Sequence, residues 1–334
     1  MSRPTGNGAL RVLVIGGSGF IGSRLIPVLQ SRGHEVRNFD QVTSRAVEGI
    51  TTLGDVTDAE ALTKAAAGHD VIVNLAAAHR DDVRPVSLYD TVNVGGARAV
   101  AAAATRNGID RILFTSTVAI YGLDKNDAAE DSVPEPFNNY GRTKLEAEQV
   151  LRAWAGEKPA RSLVIVRPSV VFGEGNRGNV YNLARQVSSG RFLMVGQGAN
   201  HKSMTYVGNI VEYLADVLAS PPGIHTSNYA DKPDLSTREL VDVLRAATNI
   251  TGSGRIRLPL AVGLAAGHTL DLVARISRRT FPISAIRIRK FVADTTVNTD
   301  RLASTGYRPR FELSEGIRRT IEAEFPASER KRQR

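Results

Sequence analysis

Seven residues near the N-terminus, Gly16-Gly17-Ser18-Gly19-Phe20-Ile21-Gly22, constrain the fold more than any other part of the chain. They follow an apolar, β-branched run, Leu10 to Ile15, and open a helical pattern that runs from Phe20 to Ser31. Glycines at 16, 19 and 22 give the spacing G-x-x-G-x-x-G between strand and helix. A tight turn there needs residues without a Cβ, and a pyrophosphate needs close approach of the backbone. The helix N-terminus adds unpaired N–H groups and partial positive charge. The pattern predicts a dinucleotide cradle. A carboxylate is then expected at the end of the second strand, about 20 residues on. Asp40 stands there, closing Val36-Arg37-Asn38-Phe39. It can accept from both adenosine ribose hydroxyls and would repel a 2′-phosphate, which favours NAD over NADP, with Arg37 and Arg45 as nearby counterweights. Asp55, in Gly54-Asp55-Val56, is placed to meet the adenine edge. Asn74-Leu75-Ala76-Ala77 ends the fourth strand, with small residues that let a cofactor lie against the backbone.

Strand and helix signals alternate through the first half. His34–Asp40, Val71–Ala76 and Arg111–Ser116 read as strands, and Asp58–Ala67 and Val94–Asn107 as helices. This predicts an α/β protein with a doubly wound parallel sheet of the Rossmann type. Pro27 falls inside the first helix and should kink it. After Arg167 the texture changes. Gly173–Gly178 is a loop, Asn209–Leu218 a helix, Ser220-Pro221-Pro222-Gly223 a turn and His225–Ala230 a strand. Ser236 and Glu239 have the spacing of a capping box, with Leu235 and Leu240 as its staple, so a helix should run to about Ala247. Leu258–Ile276 is apolar and amphipathic, expected to pack on the body, with attachment to a membrane surface through its basic flank as the alternative. The division expected is a cofactor domain over 1–168, a smaller α/β substrate lobe over 169–326 that partly returns to the first sheet, and a basic tail over 327–334.

Composition removes whole classes of chemistry. The chain has no cysteine, which excludes disulfides, cysteine-ligated metals and thiol catalysis. None of its six histidines pair at ligand spacing, so no metal site is expected. No apolar run approaches the ~20 residues needed to span a bilayer, and Met1–Leu10 lacks the apolar core of a signal peptide, so a cytoplasmic protein is expected. The net charge of +9 is local: Arg255–Lys290 holds eight basic residues against Asp271 alone, and Ser328–Arg334 holds four against Glu329. Such patches can serve phosphorylated small molecules, anionic surfaces or nucleic acid.

Tyr140-Gly141-Arg142-Thr143-Lys144 places a phenol and an ammonium on one helical face. A free tyrosine titrates near ~10, so a base working at neutral pH needs a shift of ~3 units, or ~4 kcal/mol. A neighbouring lysine and a positive nicotinamide both favour the phenolate. A hydroxyl in Thr115-Ser116-Thr117, at a strand end before Val118-Ala119-Ile120-Tyr121-Gly122, can polarise the oxygen that Tyr140 deprotonates.

Taken together, these residues resemble the extended short-chain dehydrogenase/reductase family of nucleoside-diphosphate-sugar epimerases, dehydratases and ketoreductases. The resemblance covers nearly the whole chain and extends to Arg167-Pro168-Ser169-Val170-Val171-Phe172-Gly173 and Thr205-Tyr206-Val207-Gly208-Asn209-Ile210. It implies Thr117 as the catalytic hydroxyl, Tyr140 as the acid/base and Lys144 as its partner. It implies NAD contacts at Gly16, Gly19, Phe20, Ile21, Gly22, Asp40, Asp55, Val56, Leu75, Ala76, Ala77, Asn93, Thr115, Tyr140, Lys144 and Pro168. Substrate contacts are implied at His79, Thr117, Ser169, Asn179, Val180, Lys202 and a phosphate-binding arginine, Arg287 or Arg289. Lys202 stands where the family usually has arginine, and Val170 where many members have asparagine. The implied partner is a nucleotide sugar, a UDP-sugar first, with no nucleic acid and no stable membrane insertion. A homodimer is implied through the helices that include Val94–Asn107 and Tyr140–Leu151.

The reaction narrows by elimination within that resemblance. The family's dehydratases carry Asp-Glu directly after the catalytic threonine, where this chain has Val118 and Ala119. The 3,5-epimerase/reductases use a cysteine, which is lacking. An NAD-dependent 4-epimerase and an NAD(P)H-dependent 4-ketoreductase remain, and Asp40 favours the epimerase, which recycles bound NAD. Steroid- or flavonoid-type oxidoreduction and a non-catalytic dinucleotide sensor are further alternatives. The intact Thr117, Tyr140 and Lys144 set argues against the sensor.

Overall fold

A computed structural model describes residues 8–80, 83–190, 192–248, 257–277 and 285–325. The expected basic tail, 327–334, lies outside the described residues. The first half runs β1 (Arg11–Ile15), α1 (Gly22–Ser31), β2 (Glu35–Asp40), β3 (Thr51–Leu53), α2 (Ala59–Ala66), β4 (Val71–Asn74), α3 (Gly96–Asn107), β5 (Arg111–Thr115), β6 (Lys125–Ala128), α4 (Asn139–Gly156) and β7 (Ser162–Pro168). The second half runs β8 (Val170–Phe172), α5 (Asn179–Ser188), β9 (Met194–Val195), β10 (His201–Tyr206), α6 (Val207–Asp216), β11 (Gly223–Tyr229), β12 (Asp231–Ser236), α7 (Thr237–Thr248), β13 (Arg257–Leu258), α8 (Leu260–Ser277), α9 (Ala285–Val292), β14 (Thr295–Val297), α10 (Asp300–Ser304) and α11 (Leu313–Glu324).

Seven parallel strands form the main sheet in the order β11-β7-β5-β4-β1-β2-β3. Its central strands are buried on both faces, as their unbroken apolar sequences require. Alternation within β1 splits the core: Val12 and Val14 join α1's Leu25, Ile26 and Leu29, while Leu13 and Ile15 join the alanine face of α3. The alanines let α3 lie close, and Val56 fills the space left by Gly96. The helix α1 runs through Pro27, which sits on its exposed side. The strand order reverses between β1 and β4, and the crevice above that point is where an open α/β sheet takes a ligand.

A second sheet, β12-β10-β14-β6 with β8 added on β10, caps this end of the first. Its apolar face continues the α1-side core through Phe172, Met204 and Tyr206, joined by Leu240 of α7. The helix α7 starts on the expected capping box: the Ser236 backbone N–H donates to Glu239 Oε2 at 2.7 Å, and the Glu239 N–H donates to Ser236 Oγ at 3.1 Å.

Candidate active site

The glycine turn is fixed from three sides. Gly16 donates its N–H to the Phe39 carbonyl (3.0 Å) and has φ +80°, and a Cβ there would come 2.8 Å from the Ala76 nitrogen. At the head of α1, a Cβ on Gly22 would drive into Gly17 Cα. Asn38, fully buried on β2, accepts from the Gly17 N–H at 2.9 Å and donates to Thr51 Oγ1 at 2.9 Å. This bracket is invisible in the sequence, where Asn38 reads only as a polar residue within a strand. Asp40 lies at the rim, its carboxylate accepting from the backbone N–H groups of Ser18 (3.0 Å) and Val42 (3.3 Å). Phe20 and Ile21 are half-buried beyond it, with the Arg24 guanidinium 4.5 Å from the Phe20 ring centroid. Burial works against the charge of Asp55, but hydrogen bonds from Thr57 and Gln41 hold its carboxyl below the usual range. Val56 turns into the core. Leu75, Ala76 and Ala77 leave β4 half-buried beside the glycine turn. Asn93 spends its amide on protein: it accepts from Ala78 N–H at 2.8 Å and donates to the Ala78 carbonyl (3.1 Å) and Thr143 Oγ1 (2.9 Å).

Tyr140 and Thr117 meet because two short segments interlock. Asn138 caps α4 by accepting from the Gly141 N–H (2.8 Å), and Gly141 is pressed against the Ala119 carbonyl, where a Cβ would not fit. This sets the first turn of α4 on the turn that Thr117 itself caps, through its Oγ1 and the Ala119 N–H (3.1 Å). Tyr140 keeps part of its surface accessible, yet its surroundings are dense enough that burial pushes its phenol up to about 12, with the nearby Thr117 hydroxyl pulling the other way. Thr115, just before, is buried with its hydroxyl 3.4 Å from the Asn74 carbonyl. Ser116 donates its backbone N–H to Val166, while its Oγ is buried with no hydrogen-bond partner among the described residues.

Lys144 is 1% exposed, its ammonium 4.0 Å from the centroid of the Phe114 ring. Burial pulls its pKa down to about 7, and Glu148 one turn on opposes that. Glu148, also 1% exposed, is clamped by both arms of Arg167, at 2.9 and 2.7 Å. The same guanidinium donates to Tyr121 Oη (2.6 Å) and the Glu130 carbonyl (2.9 Å), and Tyr121 donates to Asn228 (2.8 Å). The expected effect of Lys144 on the phenol is not what dominates. Among the described residues, burial and Thr117 act on Tyr140, and the charge of Lys144 is steadied from its other side by Glu148. The Lys144-to-Glu148 spacing, one more helical turn beyond the Tyr-Lys pair, was the signal available in the sequence.

On the substrate side the expected residues scatter. Pro168 is buried at the end of β7. Ser169 pairs its hydroxyl with Thr205 Oγ1 (2.8 Å) in a buried seam. His79 and Asn179 are exposed, Val180 is in the core and Val170 is exposed. Lys202 turns its ammonium onto the backbone carbonyls of Lys290 (2.9 Å) and Ala293 (2.9 Å) at the end of α9, and burial brings its pKa down to about 8. Arg287 and Arg289 both lie on α9, where Arg289 is exposed and the side chain of Arg287 lies outside the described residues.

A dinucleotide fits this arrangement. A Cβ-free cradle faces a rim carboxylate, and a buried hydroxyl at Ser116, next to the threonine beside the phenol, has no hydrogen-bond partner among the described residues. The chain matches the NAD dependent epimerase/dehydratase family over residues 12–228. It is 45% identical over 316 residues to the N-acetyl-alpha-D-glucosaminyl-diphospho-ditrans,octacis-undecaprenol 4-epimerase of Escherichia coli O157:H7, across 94% of this chain and 95% of that one. It is 30% identical to the 2-alkyl-3-oxoalkanoate reductase of Stenotrophomonas maltophilia, across 93% of this chain and 98% of that one. Among solved structures it is similar in fold to the UDP-glucose 4-epimerase of Thermus thermophilus in complex with NAD, with a TM-score of 0.75, 24% identity, and coverage of 95% of this chain and 100% of that one.

Proposed function

The chain belongs to the NAD-dependent epimerase/dehydratase family, and from that premise we propose that it inverts C4 of an N-acetylhexosamine joined through a diphosphate to a polyprenol. The observation that carries this reading is the full-length 45% identity to a 4-epimerase whose substrate is named as such a lipid-linked sugar. Gly16, Gly19 and Gly22 would hold the pyrophosphate of NAD, Asp40 its adenosine ribose, and Tyr140 and Lys144 its nicotinamide ribose. When bound, NAD would supply the hydride acceptor for oxidation at C4 and the donor for the reduction that follows. Tyr140 takes the proton of the 4-hydroxyl and gives it back, and Thr117 holds the phenol and the reacting oxygen in line. A phenol that burial drives up to about 12 is a poor base by itself, so positive charge beside it is what would bring it into range. Val118 and Ala119 supply no acid for elimination, which supports epimerisation over dehydration.

The carrier on the far phosphate is the finer question. Two expected substrate contacts are turned elsewhere, the Lys202 ammonium to α9 and the Val180 side chain to the core, and position 170 carries a valine in place of the asparagine many family members have. These favour a polyprenol over a nucleoside, with UDP-sugars as the competing substrates. The reading includes a homodimer through α3 and α4, to be checked by light scattering, and, since NAD is held inside the cell, a reaction on the cytoplasmic side.

Purified protein incubated with polyprenyl-diphosphate N-acetylglucosamine should yield the N-acetylgalactosamine epimer without net consumption of NADH or NADPH. Stoichiometric loss of reduced cofactor would instead support the reductase. Turnover of UDP-N-acetylglucosamine alone would move the substrate to the nucleotide sugar. Tyr140→Phe should lower turnover by ~10²–10⁴-fold with an unchanged thermal midpoint. Full activity in that variant would remove the phenol from the mechanism.

A further inference from the structure

The helix α8 is narrow on one side and apolar on the other. Its inner side turns on two glycines. A Cβ on Gly263 would meet Val195 of β9 at 2.8 Å, and one on Gly267 would meet the backbone nitrogen of Ala285, the first residue of α9, at 2.8 Å. The helix therefore packs against both through bare backbone. Its outer side shows Val262 and Val273 at 51% and 41% exposure. Ala265, Ala266 and Thr269 are exposed between them. At about 100° per residue, positions 262 to 273 in this set fall within roughly a third of the helix circumference. That sector contains no charged residue. A surface helix of a soluble protein ordinarily turns its charged face to water, so an outward apolar stripe marks a contact surface.

The surroundings of the stripe say what kind of contact. Arg257 on β13, just before α8, and Arg289 on α9, packed against it, are both exposed. A stripe bordered by these two cations would repel a second copy of itself and attracts an anionic partner. The helix pair also borders the chemistry: the Lys290 ammonium lies 5.0 Å from the centroid of the Phe137 ring, and Phe137 immediately precedes Asn138, the cap that seats Tyr140. No helix among the described residues is long and apolar enough to cross a membrane, so the contact lies along a surface.

Resting on the reading that the sugar diphosphate is anchored in a bilayer by its polyprenol, we propose that the exposed face of α8 docks on an anionic phospholipid bilayer. The stripe enters the headgroup–acyl boundary, the flanking arginines meet lipid phosphates, and Phe137, beside the cap that seats Tyr140, is brought near the depth at which the substrate diphosphate emerges.

Flotation of the full-length protein with phosphatidylglycerol-rich and with pure phosphatidylcholine vesicles tests this, and detergent-solubilised polyprenyl-diphosphate N-acetylglucosamine gives a parallel activity readout. The wild type should float with the anionic vesicles, and high salt should weaken the association. Val262→Glu with Ala266→Glu should lower vesicle binding by ~10-fold or more while leaving turnover in detergent and the circular dichroism spectrum unchanged. Wild-type protein that stays unbound to anionic vesicles overturns the proposal. So does a folded double variant that binds as the wild type does, or one whose only change is the loss of a chain dimer. Activity on the lipid-linked sugar in detergent, without vesicle binding, sinks the docking surface and spares the substrate reading. Charge- and Val262-dependent binding by a protein that turns over only UDP-sugars does the reverse.

Discussion

At the scale of single residues, the site is built from groups held in uncomfortable states. Lys144 is charged only at the expense of its burial, which lowers its pKa from 10.5 to about 7. Between those two values the unfolded chain binds the proton more readily than the folded one, so this residue makes stability rise as pH increases from about 7 towards 10.5, with the full cost felt below 7. Lys144→Met removes that cost and leaves Glu148 still clamped by Arg167. The variant should therefore be ~1–3 kcal/mol more stable at neutral pH, gain progressively less near pH 10, and be inactive. Chemical denaturation at several pH values checks this, and a variant less stable than wild type at pH 7 contradicts it. The Tyr140–Lys144 pair was readable in the sequence because a spacing of four puts both side chains on one helical face, whereas Thr117 came only from the family resemblance. The residues that restrain them were not readable, since Arg167 reaches Glu148 across 19 positions and Tyr121 across 46. Side-chain pairs at such separations leave no periodic trace.

At the scale of elements, Arg167 joins β7 to α4 through Glu148 and to the turn after Thr117 through Tyr121. Arg167→Ala should cost ~3–5 kcal/mol, because it strands a buried carboxylate. A urea titration reads this directly, and a change within ~0.5 kcal/mol would show that the clamp holds nothing. The helices and the central strands were readable because each carries its own period and its own caps, as the Ser236–Glu239 box of α7 does. The second sheet was mostly not. Lys125–Ala128 is short and polar, and its partner β14 comes from residues 295–297. The strand β12 contains a proline and charged residues, which carry no strand pattern of their own. Such strands exist because a distant neighbour supplies their hydrogen bonds, and a local window of sequence cannot see that neighbour.

At the scale of the whole molecule, two sheets share one apolar core, and the crevice at the strand-order reversal lies beside their junction. Ligand linkage then reaches the whole fold. Once copurified cofactor is removed, NAD at a hundredfold excess over its dissociation constant should stabilise the protein by ~2.7 kcal/mol. NADP should do far less because of Asp40, and Asp40→Ala should bring the two midpoints together. Equal stabilisation of the wild type by both would remove Asp40 as the discriminating group. The strand β11 has a further consequence, for how the chain is made. It pairs with β7 along its whole length, yet residues 169–222 must leave the ribosome before it exists. During that interval β7, buried throughout in the finished fold, ends the nascent sheet with its edge open to any other unfinished chain. A polypeptide released at residue 168 should aggregate more than the same chain carried through β11, and slow translation through the intervening stretch should make expression depend on chaperones.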